Sequence, residues 1–127
     1  MPERPPNPPS PILGLTNMEI ISHFLYLNTS NGEIPIAIRI YAPENTGPSW
    51  ACRYEIDWPE GMQRMAAHGI DSLQALVMAQ LMIGSEIYAS SYHKDGALRA
   101  ANRESGYGFP VPPFLRHLLV GRDAAIF

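Results

Sequence analysis

The sequence has almost no cysteine, little positive charge and no long apolar run, and each shortage narrows what the chain can be. Cys52 is the single cysteine among 127 residues, so no internal disulfide forms. A lone thiol suits a reducing compartment. Lysine and arginine total 9 against 12 aspartates and glutamates, a formal net charge of −3. No run of basic residues appears, which argues against a general binder of nucleic-acid backbones, because such binders need a basic stripe. Aromatics make up 9% of the chain and are not interleaved with basic residues as in RNA-binding sheets. The most apolar stretch, residues 73–89, is broken by Gln74, Gln80, Ser85 and Glu86, so it does not read as a membrane span. Residues 1–10 lack the apolar segment of a signal peptide. A cytoplasmic protein is expected, with neither nucleic acid nor membrane as partner.

Recognisable chemistry is equally scarce. His23, His68, His93 and His117 are far apart and form no H-x-H or H-E-x-x-H pair, so metal-ligand spacing is missing. Cys52 sits mid-way through an alternating segment, on its apolar side, where a cysteine is far more often core than nucleophile. Gly106-Tyr107-Gly108 is too short for a phosphate loop. No catalytic residue, metal or cofactor is expected.

What is present is a globular pattern. The hydrophobic share is 46%, and a chain of this length suits one domain with one core. Residues 1–11 carry six prolines. Proline lacks an N–H and fixes φ, so residues 1–16 are expected to form an extended arm and residues 17–127 a single domain. Residues 18–28 are apolar and β-prone, and Asn31-Gly32 follows as a hairpin turn. Ile34, Ile36, Ile38 and Ile40 then alternate with Pro35, Ala37, Arg39 and Tyr41, which puts the four isoleucines on one face of a strand. Residues 42–49 read as a loop. In residues 50–58, Trp50, Cys52, Tyr54, Ile56 and Trp58 share one face, with Ala51, Arg53, Glu55 and Asp57 on the other. Residues 62–68 suit a short fourth strand.

A helix is expected from Leu73 to about Tyr92, with Asp71 as N-cap and Gln74 completing a capping box. Leu73, Leu76, Val77, Leu81, Ile83, Ile87 and Tyr88 give it an apolar surface wider than one stripe. Leu73 and Leu76 are expected to enter the core, and Gly84 to allow a close crossing. Residues 97–104 extend a helix weakly, and residues 105–113 are loop. The fold class is therefore α+β: an antiparallel β-meander of three or four strands packed against one long helix, with an irregular C-terminal segment.

Two resemblances attach to these motifs. G-I-D-S-L-Q-A-L over residues 69–76 resembles the phosphopantetheine attachment site of carrier proteins, which implies a prosthetic arm on Ser72. Carrier proteins are all-helical, however, whereas strand-like alternation precedes the motif here, and helix capping explains the same letters. Together with W-A-C-R-Y-E-I over residues 50–56 and Gly108-Phe109-Pro110, the same helix start resembles a widespread group of small uncharacterised bacterial proteins. That resemblance implies no activity. Size and layout are also similar to those of immunity proteins that neutralise bacterial toxins, an analogy at the level of fold.

The functional expectation is a non-enzymatic protein-binding protein, with toxin immunity as its concrete form. Candidate partner-binding residues are Arg53, Glu55 and Asp57 on the outward face of their strand, and Tyr107, Phe109 and Phe114 in the C-terminal segment. Two alternatives stand beside it. One is a small enzyme or ligand binder with a cleft between the sheet and residues 107–113. The other is self-association through the helix or tail.

Overall fold

The computed structural model describes residues 18–102 and 106–127; the proline-rich arm expected over residues 1–16 lies outside them. The strands are β1 (Glu19–Thr29), β2 (Gly32–Tyr41), β3 (Glu44–Asn45), β4 (Trp50–Trp58), β5 (Gly61–Gly69) and β6 (Leu98–Ala100). The helices are α1 (Ser72–Ala89), α2 (Ser91–Lys94) and α3 (Gly121–Ile126), with a 3-10 segment at Pro113–Leu118. The architecture is α+β, an antiparallel sheet with one main helix, as the alternation implied.

β1, β2, β4 and β5 form the meander, each antiparallel to the next. The β1–β2 turn closes at Thr29 opposite Gly32, where Thr29 Oγ1 donates to the Gly32 carbonyl at 2.6 Å. Gly32 has φ +107°, which a side chain would strain. Two strands exceed the expected number. β3 interrupts the segment read as loop and pairs with the start of β4. Trp50 pairs with both Asn45 and Gly69, so β3 and β5 lie on opposite edges of β4. β6 replaces the weak helix expected after Gly96 and pairs with Leu25–Leu27 of β1. Ala97, Leu98, Arg99 and Ala100 are good helix formers, but the edge of β1 offers unpaired backbone groups and pairing with them overrides that local preference; the Asn28 N–H donates to Ala97 O at 2.8 Å.

Helix α1 begins as expected. Asp71 Oδ1 accepts the Gln74 N–H at 2.8 Å, and Gln74 Oε1 accepts the Ile70 N–H at 2.7 Å, one residue outside the usual reciprocal partner. The helix stops at Ala89, short of the expected Tyr92, because Ser90 turns extended (φ −70°, ψ 151°) and caps α2 instead. The buried stripe is Ala75, Ala79, Ile83 and Ile87, packed on β4 and β5. Two alanines there let the helix axis lie close to the sheet, and Leu73, two residues before Ala75 and so about 200° around the helix, points outward. Leu73 is 69% exposed, against the expectation that it enters the core; Leu76 is only partly buried.

The core lies between the sheet and α1. Leu25, Ile36, Ile38, Ile40, Tyr54 and Ile56 are fully buried in it. The C-terminal segment completes the layer. It crosses α1 at Gly84, where a Cβ would collide with the Pro110 carbonyl. Tyr107, Phe109 and Val111 sink into the core, so the cleft expected between the sheet and residues 107–113 is filled by side chains. Asp123 of α3 locks this segment down: it is 1% exposed and accepts the Tyr107 N–H at 2.8 Å, the Gly108 N–H at 2.9 Å and the Tyr88 hydroxyl at 2.5 Å. The opposite face of the sheet has no described element over it.

Candidate binding surface on the open face of the sheet

Period-2 alternation sends Arg39 and Tyr41 of β2, Arg53, Glu55 and Asp57 of β4, and Arg64 of β5 to the open face. Register then sets three of them in a row. Arg39 lies opposite Glu55, and Glu55 lies opposite Arg64. Opposite charges facing each other across neighbouring strands attract, and the distances bear this out. Arg39 Nε donates to Glu55 Oε1 at 2.8 Å, and Arg64 Nε to Glu55 Oε2 at 3.0 Å. The other two Arg39 nitrogens form a fork on Asp57, at 2.6 and 3.1 Å. Tyr41 adds its hydroxyl to Glu55 Oε1 at 2.8 Å.

Glu55 is the centre of this network. Burial pushes its carboxyl up, and the hydrogen bonds from Arg39, Tyr41 and Arg64 more than reverse that, so it titrates below the ordinary 4.5. The bonds to Asp57 and Glu55 raise Arg39 further above an already basic value. Burial, reinforced by Glu55, raises the Tyr41 hydroxyl. Arg53 stands beside the network with its guanidinium 5.3 Å from the Tyr41 ring centroid and 3.7 Å from Glu44. Tyr41, Arg53, Glu55, Arg64, Met65 and Ala66 line an open groove of about 590 Å³. Phe24 and Met62, also outward, are about half exposed.

Of the residues singled out in the sequence, Arg53, Glu55 and Asp57 come together on this face. The other three do not join them. Tyr107 and Phe109 are each 5% exposed and serve the core; Tyr107 Oη lies 2.6 Å from His93 Nδ1, and its carbonyl 3.0 Å from His23 Nε2. Phe114 is 74% exposed on the 3-10 segment. Sequence reasoning missed Arg39, Tyr41 and Arg64. Their signal was the same alternation, read only for its apolar half; what was lacking was the register that brings β2 and β5 beside β4.

Cys52 is buried on the opposite side of β4, where burial pushes its thiol up to about 11 and its Sγ–H donates to Tyr41 O at 3.3 Å. Among the described residues no group of three or more His, Cys, Asp or Glu is placed to hold a metal ion. No described helix is long and apolar enough to cross a membrane. Ser72 is exposed as the first residue of α1, in a sheet-based fold unlike that of the all-helical carriers. No curated protein and no solved structure matches the chain. A family model described as a domain of unknown function, DUF6968, matches residues 21–111, most of the chain, and the protein belongs to that family.

Proposed function

We propose that the chain is a non-enzymatic protein-binding domain whose contact surface is the open face of the sheet, centred on the row Arg39–Glu55–Arg64. One observation carries the reading: five polar side chains, Arg39, Tyr41, Glu55, Asp57 and Arg64, fix one another's positions beside a groove. Partly exposed ion pairs add little to stability, so such a network is poorly explained as scaffolding. Charges already held in place lose little freedom when a partner docks, and they select partners of complementary charge. Phe24 and Met62 supply apolar contact near the charged row. The concrete form we favour is a bacterial immunity protein that neutralises a toxin, in keeping with the chain's size and fold class.

Co-expression with the product of the adjoining gene, followed by titration calorimetry, tests the proposal. Arg64→Glu faces a second acid at Glu55 and is expected to weaken binding about tenfold or more, whereas Phe114→Ser leaves it unchanged. Binding lost through Phe114 and indifferent to Arg64 would move the surface to the tail. The groove's volume lies in the range of small-molecule pockets and favours a second reading, a site for a small polar ligand. A rise in melting temperature with a small-molecule panel, cancelled by Arg64→Glu, would support it.

A further inference from the structure

The two edges of the sheet are treated differently. At the β1 edge, β6 covers Leu25–Leu27 and the register shifts between Glu19 and Ile21. Both are ways in which sheets guard an edge. At the other end, β5 pairs with β4 through nine consecutive residues, without a bulge. It contains neither proline nor lysine, and no hydrogen bond among the described residues ties its far edge to another element. Such an edge offers a row of backbone donors and acceptors to another strand.

Methionines flank that edge on both faces of the sheet. Met62 and Met65 of β5 are 48% and 41% exposed, and Met78 of α1 is 38% exposed. Met78 and Met82 share a helix flank with Glu86 by four-residue spacing. That flank faces β5, because Glu86 Oε2 accepts from Gln63 Nε2 at 2.7 Å. Four of the six methionines in the chain therefore sit on β5 or the flank of α1 beside it. Methionine is an adaptable apolar side chain, over-used at binding surfaces.

We propose that the occupant of this edge is a second copy of the chain, with β5 pairing antiparallel to β5 about a two-fold axis at Met65. The sequence of the strand is complementary to itself in that register. Arg64 falls opposite Ala66 of the second copy, Gln63 opposite Ala67, Met62 opposite His68, and Gly61 opposite Gly69. No two arginines oppose each other, whereas an axis at Arg64 would force that clash. Ala66 and Ala67 leave room for the longer side chains across the axis. Two-fold pairing buries the same patch on both copies and joins their two sheets into one. Arg64, Met65 and Ala66 also line the groove, so the second copy's β5 extends its wall.

Sedimentation velocity of the full chain across a wide concentration range reads the result. The expected species has twice the 14.1 kDa chain mass. Met65→Arg sets like charges against each other at the axis and is expected to weaken association about tenfold or more, with an unchanged circular dichroism spectrum. Where that variant fails to fold, Met65→Cys in a Cys52→Ser background decides: a short bismaleimide joins two copies through position 65, while Phe114→Cys in the same background stays unjoined. Arg64→Glu, which disables the proposed partner surface, leaves the dimer intact, so the two readings fail separately. A wild-type chain that remains monomeric, or a dimer that neither responds to Met65→Arg nor crosslinks at position 65, overturns the proposal.

Discussion

Gly84 lies directly beneath the carbonyl of Pro110, with no room between them for a methyl group. An alanine in mid-helix normally stabilises by about 1 kcal/mol relative to glycine. Here the added carbon meets backbone oxygen, which cannot rotate away, and forced overpacking costs about 1–3 kcal/mol. The steric effect wins, so Gly84→Ala is expected to lower the urea midpoint and to loosen the C-terminal segment where it crosses α1. A higher midpoint would mean that the crossing is looser than the structure has it.

How far the sequence disclosed this fold depended on whether a feature was local. The isoleucine alternation in β2, the strand from Trp50 to Trp58 and the Asp71 cap are fixed by near neighbours, and all were legible; Gly84 was legible as a close crossing, whereas the Pro110 carbonyl that it meets was not. β3 and β6 were not: each is only two or three residues long, too short to show an alternation, and β6 becomes a strand only by pairing with β1, far back in the chain. Leu73 misled for a related reason: apolar character cannot tell which side of a helix meets the sheet when alanines do the packing. On the open face, Glu55 and Asp57 were visible as outward acids. Arg39 became visible as their partner only once β2 was in register with β4.

Asp123 is a buried acid holding three donors, two of them the backbone amides of Tyr107 and Gly108. Asp123→Asn keeps the shape but turns one acceptor into a donor facing an N–H. Bonds to charged groups contribute about 1.5–3 kcal/mol and a buried unpaired donor costs a similar amount, so a loss on the order of 3 kcal/mol is expected in urea unfolding. Amide exchange at Tyr107 and Gly108 should accelerate more than exchange in β4. Equal acceleration everywhere would contradict the local lock.

The Glu55 network gives a pH signature of definite sign. A carboxyl that titrates lower in the folded chain stabilises fully above its unfolded value of 4.5, and that contribution fades as pH falls through the folded value. Glu55→Gln is therefore expected to destabilise by about 1 kcal/mol at pH 7, the scale of a partly exposed ion pair. The gap between variant and wild type should close progressively below pH 4.5. A gap that persists in acid would place the effect in packing.

His93 titrates lower than the ordinary 6.5 because burial disfavours its charged form. The unfolded chain then binds more protons around that pH, so stability falls as pH drops from 7 toward 5. His93→Phe is expected to flatten that slope in thermal melts recorded across the interval. An unchanged slope would assign the acid sensitivity to another group.

Cys52 supplies a reporter for the core. Its thiol is fully buried and titrates near 11, so alkylation at neutral pH should be slower than for a free cysteine by roughly 100-fold or more. Labelling should accelerate in step with global unfolding in urea. Rapid labelling of the native chain would show that β4 opens locally.

The placement of Asp123 also bears on where the folding unit ends. The family match stops at Val111, immediately after the loop whose amides Asp123 holds from twelve residues further on. A fragment trimmed to the matched span would retain Tyr107, Phe109 and Val111 while discarding the group that fastens them. Expression boundaries for this domain are therefore better drawn beyond α3 than at the edge of the match.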